Sequence, residues 1–365
     1  MRLVVLLLLA YVGVRVLSPF SLPVAVVGAL ALGACFLLLP RGWRLRRENG
    51  LMVMVNWLTL GFISWLLVLT LARDIALAAA ALALPASEFA SWPRLSALWV
   101  LWATPAITAV GFLMARRVAP VVRVDIPVAG LPAALEGFTI AQISDIHVGP
   151  TIKRPFVEKM VDRVNRLDAD VIAITGDIVD GSVGELRHHT APLARLEARH
   201  GTYAVTGNHE YYSGANAWVS ELKRLGATVL LNEHVVIERG GASLALAGVT
   251  DFSAHHFDPS HRSDPGRALD GAPENAVKVL LAHQPRTAPA AADAGYDLQL
   301  SGHTHGGQFW PWNFFVRLQQ PFTAGLNRLG RMWVYINRGT GYWGPPMRFG
   351  IPSEITRIRL VRAAG

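Results

Sequence analysis

Four apolar runs fill the first third of the chain and then stop, which separates what can be buried in lipid from what must fold in water. Residues 3–17 are apolar except for Arg15, residues 20–39 are apolar throughout, residues 51–71 carry only Asn56 and small hydroxyls, and residues 95–115 are apolar again. A spanning helix needs about 20 such residues. The second, third and fourth runs meet that requirement; the first is short. No small-residue cleavage site follows the first run, so it reads as an uncleaved span rather than a signal peptide. Residues 75–84 are apolar over only about half a span. They either extend the third helix, lie in the interface, re-enter or make a fifth crossing. Residues 1–117 are therefore expected to be a transmembrane helical region of four spans, or five if that piece crosses.

The charged residues support the division. They make up 16% of the chain, against about 25% in an ordinary globular protein, and the shortfall lies before Arg116. The net charge of +8 comes almost wholly from arginine. Arg2, the group Arg41, Arg44, Arg46 and Arg47, and the pair Arg116 and Arg117 flank the apolar runs. With four spans all three groups fall on one side, which charge asymmetry makes cytoplasmic. The expected location is a bacterial inner membrane with the soluble half in the cytoplasm and the lipid bilayer as a partner. No basic stripe marks the soluble half, so no nucleic acid is expected, and no feature calls for an obligate protein partner. The one cysteine, Cys35, can form neither an internal disulfide nor a thiolate metal site.

After a Pro-, Val- and Ala-rich stretch at 118–137, expected to be a linker, short apolar runs alternate with helical periodicity. Strands are expected at 138–143, 170–175, 202–205, 228–231, 243–247, 277–282, 298–300, 332–336 and 354–360, and helices at 156–167, 185–198 and 217–225. Alternation of this kind implies an α/β layered fold. Such folds build their sites past the carboxyl ends of strands.

Five polar clusters stand at those ends: Asp145-x-His147; Gly176-Asp177-x-x-Asp180; Gly207-Asn208-His209-Glu210; a lone His283; and Gly302-His303-Thr304-His305-Gly306. Carboxylate, amide carbonyl and imidazole suit Mn, Fe or Zn. The supply exceeds the roughly four ligands of one tetrahedral centre. Asp145 with His147, and His303 with His305, are two apart and so share one side of an extended chain.

These clusters, in this order, resemble the calcineurin-like metallophosphoesterase superfamily over residues 138–359, and 138–365 are read as that domain, an α/β sandwich. The stretch Gly302–Gln308, GHTHGGQ, and the turn Gly339-Thr340-Gly341 are similar to its membrane-linked bacterial branch, which includes YkuE-type enzymes and some UDP-diacylglucosamine hydrolases. The resemblance implies two divalent metal ions, manganese first, with iron or zinc as alternatives. Asp145, His147 and His305 would hold one ion, Asn208, His283 and His303 the other, and Asp177 would bridge them. His209 would face the phosphate or leaving group as a catalytic residue beside Asp177. Asp180 and Glu210 would orient ligand imidazoles or nearby backbone. The implied activity is hydrolysis of a phosphate ester or diphosphate, with a lipid-linked substrate of UDP-diacylglucosamine type as the specific candidate. The alternatives are a broad phosphodiesterase on soluble or envelope substrates and a catalytically silent metal-binding membrane sensor.

Other polar residues read more plainly. His188, His189, His200, His234 and His261 are expected at the surface or as caps, and Asp168 and Asp170 as solvated. His255 and His256 sit in an irregular loop where substrate contact is a minor alternative. Residues 309–329, rich in Trp and Phe, are either a packing insertion or an interfacial element that guides an acyl chain. Arg348 meets a phosphate or stands in solvent, and Arg15 is expected to snorkel.

Overall fold

The computed structural model describes residues 2–42 and 50–363, and the chain divides into two compact units. One comprises Met1–Arg116 with the later segment Gly344–Phe349; the other comprises Arg117–Trp343 and Gly350–Gly365.

The first unit is helical. Its elements are α1 (Arg2–Leu17), α2 (Leu22–Gly42), α3 (Gly50–Ala83), a single turn α4 (Ala86–Phe89) and α5 (Trp92–Arg116). Among the described residues, Leu22–Leu39, Gly50–Ala83 and Ala86–Arg116 are long and apolar enough to cross a membrane, and α1 is a shorter apolar helix. Residues 75–83 continue α3 without a break. At 1.5 Å per residue its 34 residues reach about 51 Å, well beyond the roughly 30 Å of hydrocarbon. Arg44, Arg46 and Arg47 lie outside the described residues.

Val12, Val16, Leu66, Ala97 and Val100 pack together in this unit. The buried hydroxyls of Thr70 and Thr104 donate to the carbonyls of Leu66 and Val100 one turn back, which satisfies them without a partner helix. Arg15 is ion-paired. Its guanidinium forms a two-pronged pair with Asp74 of α3 at 2.8 and 3.0 Å, and the Tyr11 hydroxyl and Arg73 join the same carboxylate. Arg73 also donates to the Pro93 carbonyl and the Ser96 hydroxyl of α5.

Met347 seats against Gly61 of α3 and Gly111 of α5, where an added Cβ would meet its side chain at 2.5 and 2.6 Å. The Trp65 indole N–H donates to the Met347 sulfur at 3.1 Å, and the Trp65 ring meets Phe349 edge-on. Arg348, expected at a phosphate or in solvent, is fully buried here. Its backbone N–H donates to the Gly111 carbonyl.

The second unit packs two six-stranded sheets face to face. The first runs β1-β12-β2-β3-β4-β5 and the second β10-β11-β9-β8-β7-β6. In chain order the strands are β1 (Val121–Val128), β2 (Thr139–Ile143), β3 (Val171–Thr175), β4 (Thr202–Val205), β5 (Thr228–Val229), β6 (Glu233–Arg239), β7 (Ala242–Gly248), β8 (Val277–Leu281), β9 (Leu298–Ser301), β10 (Gly325–Leu329), β11 (Met332–Ile336) and β12 (Ile355–Arg362). Strands β2 to β5 are mutually parallel, as are β7, β8, β9 and β11.

Alternation divides each strand between two layers. Val171 and Ala173 of β3 join Leu244, Leu246, Val279, Leu281, Leu298 and Leu300 between the sheets. Ile172 and Ile174 face outward. There they meet α6 (Arg154–Asn165), α7 (Val183–Thr190) and α9 (Ala215–Arg224) through residues such as Met160, Val161, Leu186, Trp218 and Leu222. The short helices α8 (Asn208–Ser213) and α10 (Ala288–Asp293) complete the set. Buried Gln142 ties the sheets together, its amide donating to the Thr175 hydroxyl and the Ser301 carbonyl.

Two expectations need correction. The stretch read as a linker contains β1, paired in parallel with β12 from Val121 to Val128. Its period of two (Val122, Val124, Ile126, Val128) is a strand's, and Pro127 is tolerated because β1 is an edge. Asp170 is buried rather than solvated: its carboxylate accepts from the Thr139 backbone and hydroxyl at 2.8 and 3.0 Å, joining the starts of β2 and β3.

Candidate metal centre

Every residue expected at the site sits just past the carboxyl end of a strand. Asp145 and His147 follow β2, Asp177 follows β3, and Asn208 and His209 follow β4 at the start of α8. His283 follows β8, and His303 and His305 follow β9. The backbone turns sharply at these points. Asp145, His147, Asp177, His303, His305 and Gln308 all have positive φ, between 51° and 70°. Non-glycine residues adopt this region only at a cost of order 1–3 kcal/mol each, and such strain gathers at functional sites. Gly302 and Gly207 let the chain cross directly over other residues of the cluster: a Cβ at 302 would fall onto the Ser144 hydroxyl and the Asp145 carboxylate, and one at 207 onto the Asp177 carboxylate. Thr340 and Gly341 brace the first loop, their N–H groups donating to the Ser144 and Asp145 carbonyls.

The side chains converge in three overlapping groups, Asp145–His147–His305, His147–Asp177–His209 and Asp177–His283–His303, each with ligand atoms within 4.8 Å of one another. His147 and His305 bring their Nε2 atoms to 3.1 Å. His305 Nε2 lies 3.4 Å from Asp145 Oδ1. His283 Nε2 lies 3.1 Å from Asp177 Oδ2 and 3.2 Å from His303 Nδ1. Imidazole nitrogens that face one another this closely need a proton or a cation between them. The Asn208 carbonyl oxygen is buried with no hydrogen-bond partner among the described residues. A buried acceptor left this way costs about 1–3 kcal/mol. These features fit hard or borderline cations held by N and O donors.

Neighbouring groups fix the orientations. His283 Nδ1 faces the Thr175 carbonyl at 2.8 Å, which aims Nε2 into the cluster. One oxygen of Asp180 meets His147 Nδ1 at 3.0 Å and His209 Nδ1 at 2.5 Å. Glu210 accepts four backbone N–H bonds, from Asp177, Ile178, Val179 and Gly207, and so holds the β3 loop against the β4 loop.

Burial raises the Asp145 carboxyl above its usual range. Burial, followed by the Asp177 charge, pushes Glu210 up to about 7. For Asp177 and Asp180 burial acts upward too, but the adjacent imidazoles outweigh it and hold both below the usual carboxylate range. Burial would lower His209, yet Asp177 and Asp180 push it up to about 9. His283 is raised by Asp177 against the same opposition. His303 falls to about 3 through burial and the nearby His283. The cluster thus shares protons between carboxylates and imidazoles, the protons that metal ligation releases.

Most of the remaining histidines take ordinary partners; His189 is the exception, its Nδ1 buried with no hydrogen-bond partner among the described residues. The His255 and His256 rings lie 4.0 Å apart, tilted at 41°, and His255 meets the Phe252 carbonyl. His261 bonds the Tyr211 hydroxyl and His234 the Ala268 carbonyl. The aromatic stretch after the last cluster forms two short 3-10 turns, Trp312–Phe314 and Val316–Leu318, with Trp310, Trp312, Phe314, Phe315 and Leu318 exposed. Sequence reasoning missed Tyr212 and Trp343, whose rings lie 5.1 and 5.7 Å from that of His209. Trp343 gives no signal in sequence, being 134 positions downstream. Tyr212 is three residues along a helix from His209 and was legible.

The family model for calcineurin-like phosphoesterases matches residues 138–307. A "Transmembrane protein with metallophosphoesterase domain" of Danio rerio is 39% identical over 71% of this chain. A metallophosphoesterase of Aquifex aeolicus is 35% identical over 63% of this chain and 87% of its own length. YkuE of Bacillus subtilis is 31% identical over 63% of this chain and 81% of its own. The chain spans about three fifths of the vertebrate relative, 61% of its length.

Proposed function

Because the chain belongs to the calcineurin-like metallophosphoesterase family, we propose that it is a membrane-anchored hydrolase of phosphate esters or diphosphates. The observation that carries the reading is the convergence of Asp145, His147, Asp177, His283, His303 and His305, with the buried Asn208 carbonyl oxygen left without a hydrogen-bond partner among the described residues. Asp145, His147 and His305 would hold one divalent cation, Asn208, His283 and His303 a second, and Asp177 both. When bound, two such ions supply Lewis-acid charge for the phosphoryl oxygens and the attacking water.

The chain's own groups do the rest. Asp180 sets the His147 tautomer, so that Nε2 presents its lone pair to the cluster. The same oxygen grips His209, and that carboxylate favours the protonated imidazole. His209 thereby offers a proton to the departing oxygen, or a charge that stabilises it. Glu210 keeps the Asp177 loop at the required spacing.

The finer proposal is a lipid-linked substrate of UDP-diacylglucosamine type. Its support is the apolar helices in the same chain and the exposed aromatic stretch that follows His305. The positive flank Arg116–Arg117 favours a cytoplasmic catalytic unit, which accessibility of a C-terminal tag in sealed vesicles checks.

The full chain loaded with manganese should hydrolyse bis(4-nitrophenyl) phosphate, and Asp177→Ala should abolish that turnover. UDP-diacylglucosamine should be cleaved faster than water-soluble nucleotide sugars. Bound metal with no turnover on any ester would overturn the enzyme reading in favour of a silent sensor. Equal rates on lipid and soluble diphosphates would overturn the lipid assignment alone.

A further inference from the structure

Three aromatic side chains stand exposed around the imidazole proposed to meet the leaving group. Tyr212 on α8 is 56% exposed, Phe257 52% and Trp343 42%. The Tyr212 and Trp343 rings both meet His209 edge-on, at 62° and 75°. Phe257 extends the Tyr212 side, its ring 5.5 Å away at 59°. The three rings and His209 thus form a connected cup of steeply inclined faces.

The cup is anchored. Trp343 is fixed at both backbone polar atoms by the Gln308 amide, which accepts from the Trp343 N–H at 2.9 Å and donates to its carbonyl at 2.8 Å. Gln308 is itself buried and belongs to the GHTHGGQ stretch. Behind Tyr212, the Tyr211 ring packs on Phe257 and its hydroxyl bonds His261. A soluble surface gains nothing from holding three large rings in water, and an exposed apolar cluster of this kind marks a binding site.

We propose that Tyr212, Phe257 and Trp343 form the specificity subsite for an apolar substituent on the leaving group of the phosphate ester. The inference rests on the phosphoesterase reading and on His209 facing the departing oxygen. The rings offer apolar faces, and Trp343 has its backbone polar atoms already engaged. The subsite therefore gives a hydrocarbon substituent three ring faces to cover. A leaving group that reaches it gains affinity from every methylene it covers, by about threefold to fourfold each.

The test uses two phosphodiesters, methyl 4-acetylphenyl phosphate and methyl 4-hexanoylphenyl phosphate. Their phenols are equally acidic and differ by four methylenes. With the full chain in lipid nanodiscs, kcat/KM for the longer ester should exceed that for the shorter by about tenfold or more, mostly through KM. Tyr212→Ala and Trp343→Ala should bring the ratio towards one, while Tyr212→Phe and Trp343→Phe should keep it. Taking a ratio divides out any general loss of activity, and partition into lipid is common to all variants. Hydrolysis of both esters with a wild-type ratio near one overturns the subsite and leaves the phosphoesterase reading intact. A high ratio that survives both alanine substitutions also overturns the subsite. No hydrolysis of either ester overturns the underlying reading, and this one with it.

Discussion

A single oxygen of Asp180 meets two imidazoles, one proposed as a metal ligand and one proposed to face the substrate. An amide in its place keeps one carbonyl acceptor but loses the negative charge that favours the protonated His209 imidazole. Asp180→Asn should therefore lower turnover about 10- to 100-fold while bound manganese, measured by elemental analysis, falls little. Loss of metal in proportion to activity would show that the residue holds the ligands and not His209. In the helical unit the residue that stands out is Asn56, whose two side-chain polar atoms are buried with no hydrogen-bond partner among the described residues. Replacing a buried, unpaired amide with a similar-sized hydrocarbon removes a desolvation cost of about 1–3 kcal/mol. Asn56→Leu should raise the thermal unfolding midpoint in detergent; a lower midpoint would show that the amide has a partner in the membrane.

At the scale of elements, the strands that carry the site were legible and three of the four edge strands were not. Strands β3, β4, β8 and β9 are short buried runs that end in the polar clusters, so hydrophobicity and chemistry pointed to the same boundaries. Strand β1 has the right period but contains Pro127, which reads as a break unless the strand is known to lie at an edge. Strand β6 pairs with β7 through Gly240-Gly241, a two-glycine hairpin turn that was readable. Its half-exposed face, however, gives no continuous apolar run. The strand β10 is hidden for the same reason. The residues of the candidate cluster were readable because each is local to a strand end. The rings beside His209 were not all so, because Trp343 reaches it only through the fold. In the helices, the glycines on α3 and α5 accept Met347 by having no side chain. Gly61→Leu or Gly111→Leu should destabilise the helical unit by about 1–3 kcal/mol, read as loss of the folded fraction in increasing denaturant. A Met347→Ala background should relieve most of that loss, and failure to do so would place the strain elsewhere.

At the scale of the molecule, the second unit is expected to be held partly by what its cluster binds. Two carboxylates and several imidazoles crowd together at 3–4 Å, and a ligand that binds only the folded arrangement stabilises it by mass action. Chelation should lower the melting temperature, and added manganese or zinc should restore it with a dependence on concentration. Asp177→Ala should abolish that dependence. An unchanged melting temperature on chelation would mean that the cluster is stable on proton sharing alone.

The assignment of Gly344–Phe349 to the helical unit means that the polypeptide passes from one unit to the other three times, after Arg116, Trp343 and Phe349. Severing the molecule at the first junction would not yield a clean water-soluble enzyme. The liberated piece would still carry Met347 and Phe349, stripped of Trp65 and of the two glycines that receive them. Adhesion between such pieces through this orphaned hexapeptide is the expected fate, and serine at both positions is the remedy to try first.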